Sequence, residues 1–196
     1  MPWNFFNSLG ELQINDGGVL ASNAVFTGNA DLGSNLLVGN GGGTGIAISA
    51  NGEVTMAAQP AIFVRRGSAA NNVTGNGTVY TMVFTTEIFD QNADYDATST
   101  FTAPITGRYH VDVYLDIASM TSSASAFLLD VVMSNRSLSV NTLPMVANPA
   151  RYAAMVSMLV DMDASDTLVV RLTVSGESGD IVDINSNTSL SIYLAA

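Results

Sequence analysis

A strict alternation of apolar and polar residues between Tyr109 and Ile117 is the feature that most limits how this chain can fold. Every second residue from Tyr109 onward is apolar, whereas the residues between them include His110 and two aspartates. Successive side chains of a β-strand point to opposite faces, so this period predicts a half-buried strand. His110 is expected on the outward face of that strand.

The same period of two returns in other segments, and we find no segment with a helical period and helix caps. Strands are predicted at residues 168–174 and 190–194, and further strands at residues 61–66, 80–84, 126–133 and 152–160. Short strands joined by turns rich in Gly, Asn, Asp and Pro indicate an all-β protein with an antiparallel sandwich or barrel.

Two of the predicted strands are apolar on both sides. Residues 127–133 and 153–160 place hydrophobic side chains away from a single core as well as towards it. A monomer would expose those side chains as a patch. Burial between subunits is therefore predicted for these strands.

Composition excludes several classes of function. Only 12% of the 196 residues are charged, which is about half the usual share. Six arginines, no lysine and 17 acidic residues give a net charge of −11, which argues against nucleic acid as a partner. No run approaches the ~18 apolar residues of a membrane span, and the first residues lack the pattern of a secretory signal. We expect no membrane insertion and no export by that route.

Glycine divides the chain into two regions, since 11 of the 17 glycines fall within residues 1–60. We place a boundary near Pro60, with residues 1–59 as an anchor or stalk and residues 60–196 as a head. The first region has short apolar pieces separated by Asn-Gly turn signals, and we expect strands at residues 12–14, 36–38, 46–48 and 54–56. Such a thin segment gains stability by pairing with copies of itself or with a larger scaffold.

Aromatic residues begin the chain, where termini are usually polar. Trp3, Phe5 and Phe6 include the only tryptophan. Their placement predicts a peptide that docks into another protein. The alternative is that they fold back onto their own domain, since apolar surface is seldom left exposed.

The head carries a recognisable signature. Phe84, Asp90, Tyr95, Phe101, Gly107 and Tyr109, together with Pro104, follow the order and nearly the spacing of the globular head of the complement first-component q, a relative of tumour necrosis factor. The stretches at residues 165–170 and 189–194 resemble that family's later strands. The gap from Tyr95 to Phe101 is one residue shorter than in the family, and Val111 and Val113 stand where aromatics are usual. Both departures keep an apolar inward face.

The resemblance implies an antiparallel jelly-roll β-sandwich of ten strands over residues 60–196. It also implies a compact homotrimer in which neighbouring subunits bury apolar strands around a threefold axis. Such an assembly would account for the two strands that are apolar on both sides.

Residues 1–59 lack the Gly-X-Y period of a collagen stalk and look more like the anchoring and shaft segments of bacteriophage fibre and spike proteins. The chain is therefore interpreted as a trimeric structural protein of a phage virion, assembled in the host cytoplasm. Its partners would be other virion proteins through the N-terminus, and a host surface glycan or receptor through loops at the distal end. Arg65, Arg66, Arg136 and Arg151 are candidates for contacts with anionic glycans. The alternative is a cellular or surface-displayed ligand-binding module of the complement q type.

The chain has few side chains suited to nucleophilic or acid–base catalysis, because it contains one histidine and no cysteine. We predict no enzymatic activity, no catalytic residues and no organic cofactor, although distant residues could still converge on His110 as in a Ser-His-Asp arrangement. Calcium is the one metal option, at Asp161, Asp163 and Asp166, because calcium favours several oxygen ligands. Asp90, Asp94 and Asp96 form a second acidic group. The competing interpretation of both groups is solvated turn aspartates.

Overall fold

The computed structural model describes residues 37–38, 45–48, 51–142 and 151–196. Across these ranges the protein is all-β, and its strands form antiparallel sheets. None of the described residues belongs to a helix long and apolar enough to cross a membrane. The strands of the described residues are β1 (Leu37–Val38), β2 (Gly45–Ile48), β3 (Val54–Met56), β4 (Ala61–Arg65), β5 (Ala70–Thr74), β6 (Val79–Thr81), β7 (Thr86–Asp90), β8 (Phe101–Thr102), β9 (Gly107–Ala118), β10 (Ala126–Met133), β11 (Ser137–Thr142), β12 (Arg151–Met162), β13 (Thr167–Ser175), β14 (Val182–Ile184) and β15 (Ser189–Leu194).

The predicted strands from the head are confirmed, with β9, β10, β12, β13 and β15 lying where the alternation placed them. The strand expected at residues 80–84 is shorter, because β6 ends at Thr81 and the chain turns away from β13 between Met82 and Phe84. The Met82 backbone N–H donates to the carbonyl of Val170, and that of Phe84 donates to the carbonyl of Thr98. In the first region β1, β2 and β3 confirm three of the expected strands, and the fourth, at residues 12–14, lies outside the described residues.

Two sheets form the sandwich of the head. We call the one with β4, β5, β7, β9, β12, β14 and β15 the larger sheet, and the one with β6, β8, β10, β11 and β13 the smaller sheet. Every strand pair in both is antiparallel. The small N-terminal sheet consists of β1, β2 and β3 in that order.

Strand β9 organises the larger sheet, because it pairs with β12 along its whole length and with β15 and β14 along its other edge. Its inward side chains are Tyr109, Val111, Val113, Leu115 and Ile117, each at most 1% exposed. They face the inward residues of the smaller sheet, among them Leu129, Val131, Leu168, Val170 and Leu172. The core thus lies between the sheets, as the alternation predicts.

The two strands that are apolar on both sides, β10 and β12, differ in how far their outward side chains are exposed. On β12, Met155 and Leu159 are 76% and 56% exposed, so the expected patch is present there. On β10, the outward residues Leu128 and Val132 are only half-buried rather than exposed. Strands β11 and β13 flank β10 on both edges, and its outward side chains are less exposed than Met155 and Leu159 of β12.

Removing a β9 side chain should destabilise the whole head. We expect Leu115→Ala to lower the free energy of unfolding by about 2–5 kcal/mol, because it removes buried apolar area and leaves a cavity. Val79→Ala, at a residue that is 58% exposed, is the matched control and should change stability by less than about 0.5 kcal/mol. Denaturant unfolding at one protein concentration measures both. Equal effects of the two variants would contradict the central position of β9.

Candidate functional site: the open face of the larger sheet

The larger sheet has one side turned away from the core, which we call the open face. It carries the polar members of the β9 alternation, His110, Asp112 and Tyr114, as the sequence predicts. The register places β12 and β15 on either side of them, with Ser157 and Ser191 both directly opposite Asp112. Side chains from neighbouring strands therefore meet on this face.

An apolar stripe crosses the open face from β7 to β12. It consists of Phe89, Phe63, Tyr193, Leu159 and Met155. The rings of Phe89 and Phe63 lie 6.2 Å apart, and the exposed members include Phe89 at 47% and Tyr193 at 44%. A groove of about 310 Å³ opens beside the stripe, with Phe63 and Met155 in its lining. Large apolar patches of this kind mark interaction surfaces.

A polar cluster interrupts the apolar stripe at His110. The His110 Nε2 atom lies 3.2 Å from the Ser157 Oγ atom, and its Nδ1 atom lies 3.1 Å from the Asp112 Oδ2 atom. The imidazole ring also packs against the Tyr193 ring, with 5.1 Å between centroids. Sequence reasoning placed His110 on this face but did not identify Ser157, because only the β9–β12 register brings the two together.

The order Ser157, His110 and Asp112 resembles a catalytic relay, but its geometry does not supply one. A relay needs the Nδ1–H group aimed at the carboxylate. The His110 Nδ1 atom is buried and makes no hydrogen bond of acceptable angle, although Asp112 lies beside it. The carboxylate is therefore off the line along which it would orient the imidazole. The cluster is a polar contact within the open face.

The arginines do not form a single surface. Residues Pro60, Arg108 and Ala196 mark one end of the head, the basal end, where Pro60 and Ala196 bond to neighbouring strands. Arg65 ends β4 and Arg66 follows it directly, both at the opposite, distal end. Arg151 lies at the same end, at the first residue of β12. Arg136 lies at the basal end and pairs with Asp161. The four arginines proposed for glycan contacts are thus divided between two ends.

Each distal arginine has an intramolecular partner. Arg65 donates to the side-chain oxygen of Asn187 at 2.8 Å. Arg66 donates to the carbonyl of Val83 and lies over the Tyr80 ring at 5.6 Å. Arg151 forms a two-point contact with Asp116, a carboxylate that is 3% exposed and also accepts from Asn185. The Arg151 side chain remains 57% exposed, whereas Arg65 and Arg66 are half-buried.

The structure gives the calcium option at Asp161, Asp163 and Asp166 no support. Asp161 accepts two hydrogen bonds from Arg136, at 2.6 and 2.8 Å, which hold its pKa below the ordinary value. Asp166 accepts from the Ser134 hydroxyl, which also lowers its pKa, and from the Asn135 amide and the Asp163 N–H. No group of three or more metal-binding side chains is arranged around an ion position within the described residues.

The second acidic group shapes a loop at the basal end. The Asp90 carboxylate accepts from the backbone N–H groups of Asp94 and Tyr95. The Oδ1 atom of Asp96 accepts from those of Thr98, Ser99 and Thr100, at 2.7 to 3.0 Å. Burial alone would raise the pKa of Asp96, but these hydrogen bonds outweigh it and lower the pKa. For Asp94, burial and the nearby Asp90 charge raise the pKa.

The signature residues meet around this same loop. Phe84, Tyr95, Phe101 and Tyr109 are buried, with the Phe101 and Tyr109 rings 5.6 Å apart. The Tyr95 hydroxyl donates to the carbonyl of Phe84, and burial raises the pKa of Tyr95. Two further signature residues are Asp90, whose carboxylate binds backbone N–H groups of this loop, and Gly107. A Cβ atom at Gly107 would lie 2.6 Å from Leu194 and 2.9 Å from the Ala196 oxygen, so a side chain has no room there.

The proposed virion anchor, Trp3, Phe5 and Phe6, lies outside the described residues and stays a prediction.

Comparison with solved structures supports the class of fold. The globular domain of the zebrafish complement 1qA protein aligns with 70% of this chain and 98% of its own length, at 13% identity and a TM-score of 0.52. Murine APRIL aligns with 69% of this chain and 98% of its own, at 8% identity and a TM-score of 0.47. No protein-family model and no curated protein matches the chain. The head is thus a jelly roll with the fold of the complement q globular domain.

The Asp96 hydrogen bonds make a testable contribution at acid pH. Because its pKa is lowered from the ordinary 3.8, the ionised carboxylate stabilises the folded state above that value, and this stability is lost as the pH falls through the folded-state pKa. We expect Asp96→Asn to reduce the free energy of unfolding at pH 7 by about 1 kcal/mol or less, since the group is largely exposed. The variant should also lose less stability than the parent between pH 5 and pH 2.

Urea unfolding at several pH values measures this effect, with Glu87→Gln on the exposed strand β7 as the control. An acid dependence of the Asp96 variant identical to that of the parent would show that the loop does not depend on this charge.

Proposed function

We propose that this chain is a non-enzymatic, homotrimeric structural protein of a phage virion. In this proposal residues 1–59 fix the protein to the particle, and the jelly-roll head projects from it as a fibre, spike or decoration. The observation that carries the homotrimer is the apolar stripe on the open face. The head needs a partner that covers this stripe, and a further copy of the chain is the partner that is always present.

The energetic case for a covering subunit rests on the size of the stripe. Met155, Leu159, Phe89 and Tyr193 are between 44% and 76% exposed. Burying a large apolar side chain contributes about 1.5–3 kcal/mol relative to leaving it in water. Several such side chains on one rigid sheet can therefore support a stable association between subunits. The sequence resemblance to the complement q family implies that this association is threefold.

The composition of the open face fits burial between subunits. Its centre carries few charges, with His110 beside Asp112, whereas Arg65 and Arg151 lie at one end of the face and Arg108 and Asp161 at the other. A face with few charges at its centre and more at its margins is typical of a subunit interface. A covered His110 cluster would also be out of reach of a substrate, which agrees with a non-enzymatic role.

The assignment to a phage virion rests on residues 1–59. Their glycine content, short strands and Asn-Gly turns are typical of shaft segments in phage fibres, and the aromatic start suits a docking peptide. Host attachment, if the head performs it, would use the distal loops, because loops on a rigid sandwich form the adaptable surface. Three weak sites on one trimer would together give useful avidity.

The second candidate is a cellular or surface-displayed ligand-binding module. The likeness of the head to the globular domain of a complement protein favours it. This candidate shares the open face and the trimer with the first. It differs in having no need for Trp3, Phe5 and Phe6.

The oligomer can be tested on the open face directly. We expect the full chain to have three times the mass of one chain by light scattering. The double variant Met155→Asp with Leu159→Asp should dissociate at protein concentrations at least ~10-fold higher than the parent, since charged groups would be buried without partners. Val79→Asp, at an exposed residue on the outward side of the smaller sheet, is the control and should keep the parent mass. A parent that is monomeric at all concentrations would overturn the proposal.

Deletion of residues 1–8 separates the two candidates. If the aromatic start is a virion anchor, the deletion should abolish incorporation into phage particles while the trimer stays intact, because the head sets the oligomer. Incorporation is measured by the amount of protein that co-purifies with particles. A deletion that incorporates as well as the parent would leave the ligand-binding module as the better account.

A further inference from the structure

The N-terminal sheet has an apolar side of its own. Ile46 on β2 lies directly opposite Met56 on β3, and Val54 lies two residues before Met56 on the same strand. Alternation along a strand and direct pairing across strands put these three side chains on one side of the sheet. They are 39%, 45% and 61% exposed in the order Ile46, Met56 and Val54.

A sheet of this size needs a covering layer. Strand β3 is exposed along its whole length, so the contacts among β1, β2 and β3 leave its apolar residues in water. Two or three short strands without a buried face are marginally stable at best. The N-terminal sheet therefore depends on a surface that packs against Ile46, Val54 and Met56.

The junction between the N-terminal sheet and the head is held by side-chain amides. The Gln91 amide donates to the carbonyls of Met56 and Gln59, both at 2.8 Å. The neighbouring Asn92 amide donates to the carbonyl of Ala58 at 3.0 Å, and Gln59 donates to Leu194 at 3.1 Å. The last strand of the N-terminal sheet is thus attached at its end to the base of the head.

This junction adjoins the apolar stripe of the open face. Gln91 and Asn92 directly follow β7, whose Phe89 is the first member of that stripe. If three heads pack through their open faces, the same symmetry axis relates the three junctions. The three N-terminal sheets are then tethered at one end of the trimer, at a high effective concentration with respect to each other.

Charge does not oppose contact between these copies. Between residues 37 and 60 the only charged residue is Glu53, so three copies bring little like charge together. The same lack of charge leaves no electrostatic feature that would select a different, oppositely charged partner for this side of the sheet.

We infer that the apolar side of the N-terminal sheet is a second interface between copies of this chain. Ile46, Val54 and Met56 of three subunits pack against one another on the axis of the trimer and form the first layer of a shaft. This inference rests on the proposed homotrimer, and it adds that the shaft is a self-assembly element rather than a flexible tether.

The absence of cysteine from the chain allows a direct test in the full-length protein. Single variants Val54→Cys and Met56→Cys are labelled with pyrene maleimide. Each chain then carries one pyrene, so excimer emission can arise only between chains. Val79→Cys is the matched control, because Val79 is 58% exposed and Val54 is 61% exposed, but Val79 lies on the smaller sheet of the head. Light scattering gives the mass of each labelled protein.

We expect a trimer mass for all three proteins, excimer emission from positions 54 and 56, and none from position 79. Dilution of labelled subunits into an excess of unlabelled chain before assembly should remove the excimer band. A trimer without excimer emission at positions 54 and 56 would overturn this inference and leave the proposed homotrimer standing. A monomer mass would overturn both, and excimer emission from all three positions would reveal aggregation rather than a specific interface.

Discussion

The burial of one side of β9 is the constraint on which the rest of the structure depends. Tyr109, Val111, Val113, Leu115 and Ile117 are withdrawn from water almost completely. Because β9 is also paired along both edges, it fixes the register of β12, β14 and β15 at the same time. A slip by one residue would turn the whole apolar set outward, so the pattern of one strand specifies the arrangement of its sheet.

The same constraint creates the open face. Once the odd-numbered side chains of β9 face the core, the even-numbered ones must share the other side with Ser157, Leu159 and Tyr193. That side is too apolar for a solvent-facing sheet, and its polar centre is a cluster around His110 rather than a working relay. This composition is the reason that we propose the open face as an interface, with the His110 cluster as a polar contact inside it.

The acidic residues of the basal end show how polar groups can be structural in a chain with few charges. Asp90 and Asp96 bind backbone N–H groups of the loop that carries Tyr95, and Asp161 and Asp166 bind Arg136 and Ser134. Each carboxylate accepts hydrogen bonds from donors of the surrounding loops and strands. An acidic cluster in the sequence resembles a calcium site, yet here the oxygens are directed to neighbouring donors.

The sequence by itself determined the fold class, the long strands and the inward face of β9, because alternation and turn residues act locally. It also predicted that His110 faces outward and that the strand containing Met155 and Leu159 has apolar side chains pointing away from the core. Only the tertiary structure decided that Ser157 meets His110, that Arg136 lies at the opposite end from Arg65 and Arg151, and that Gln91 holds Met56. Ser157 and His110 are 47 positions apart, and Gln91 and Met56 are 35 positions apart. Such meetings depend on strand register and sheet order, which local patterns do not contain.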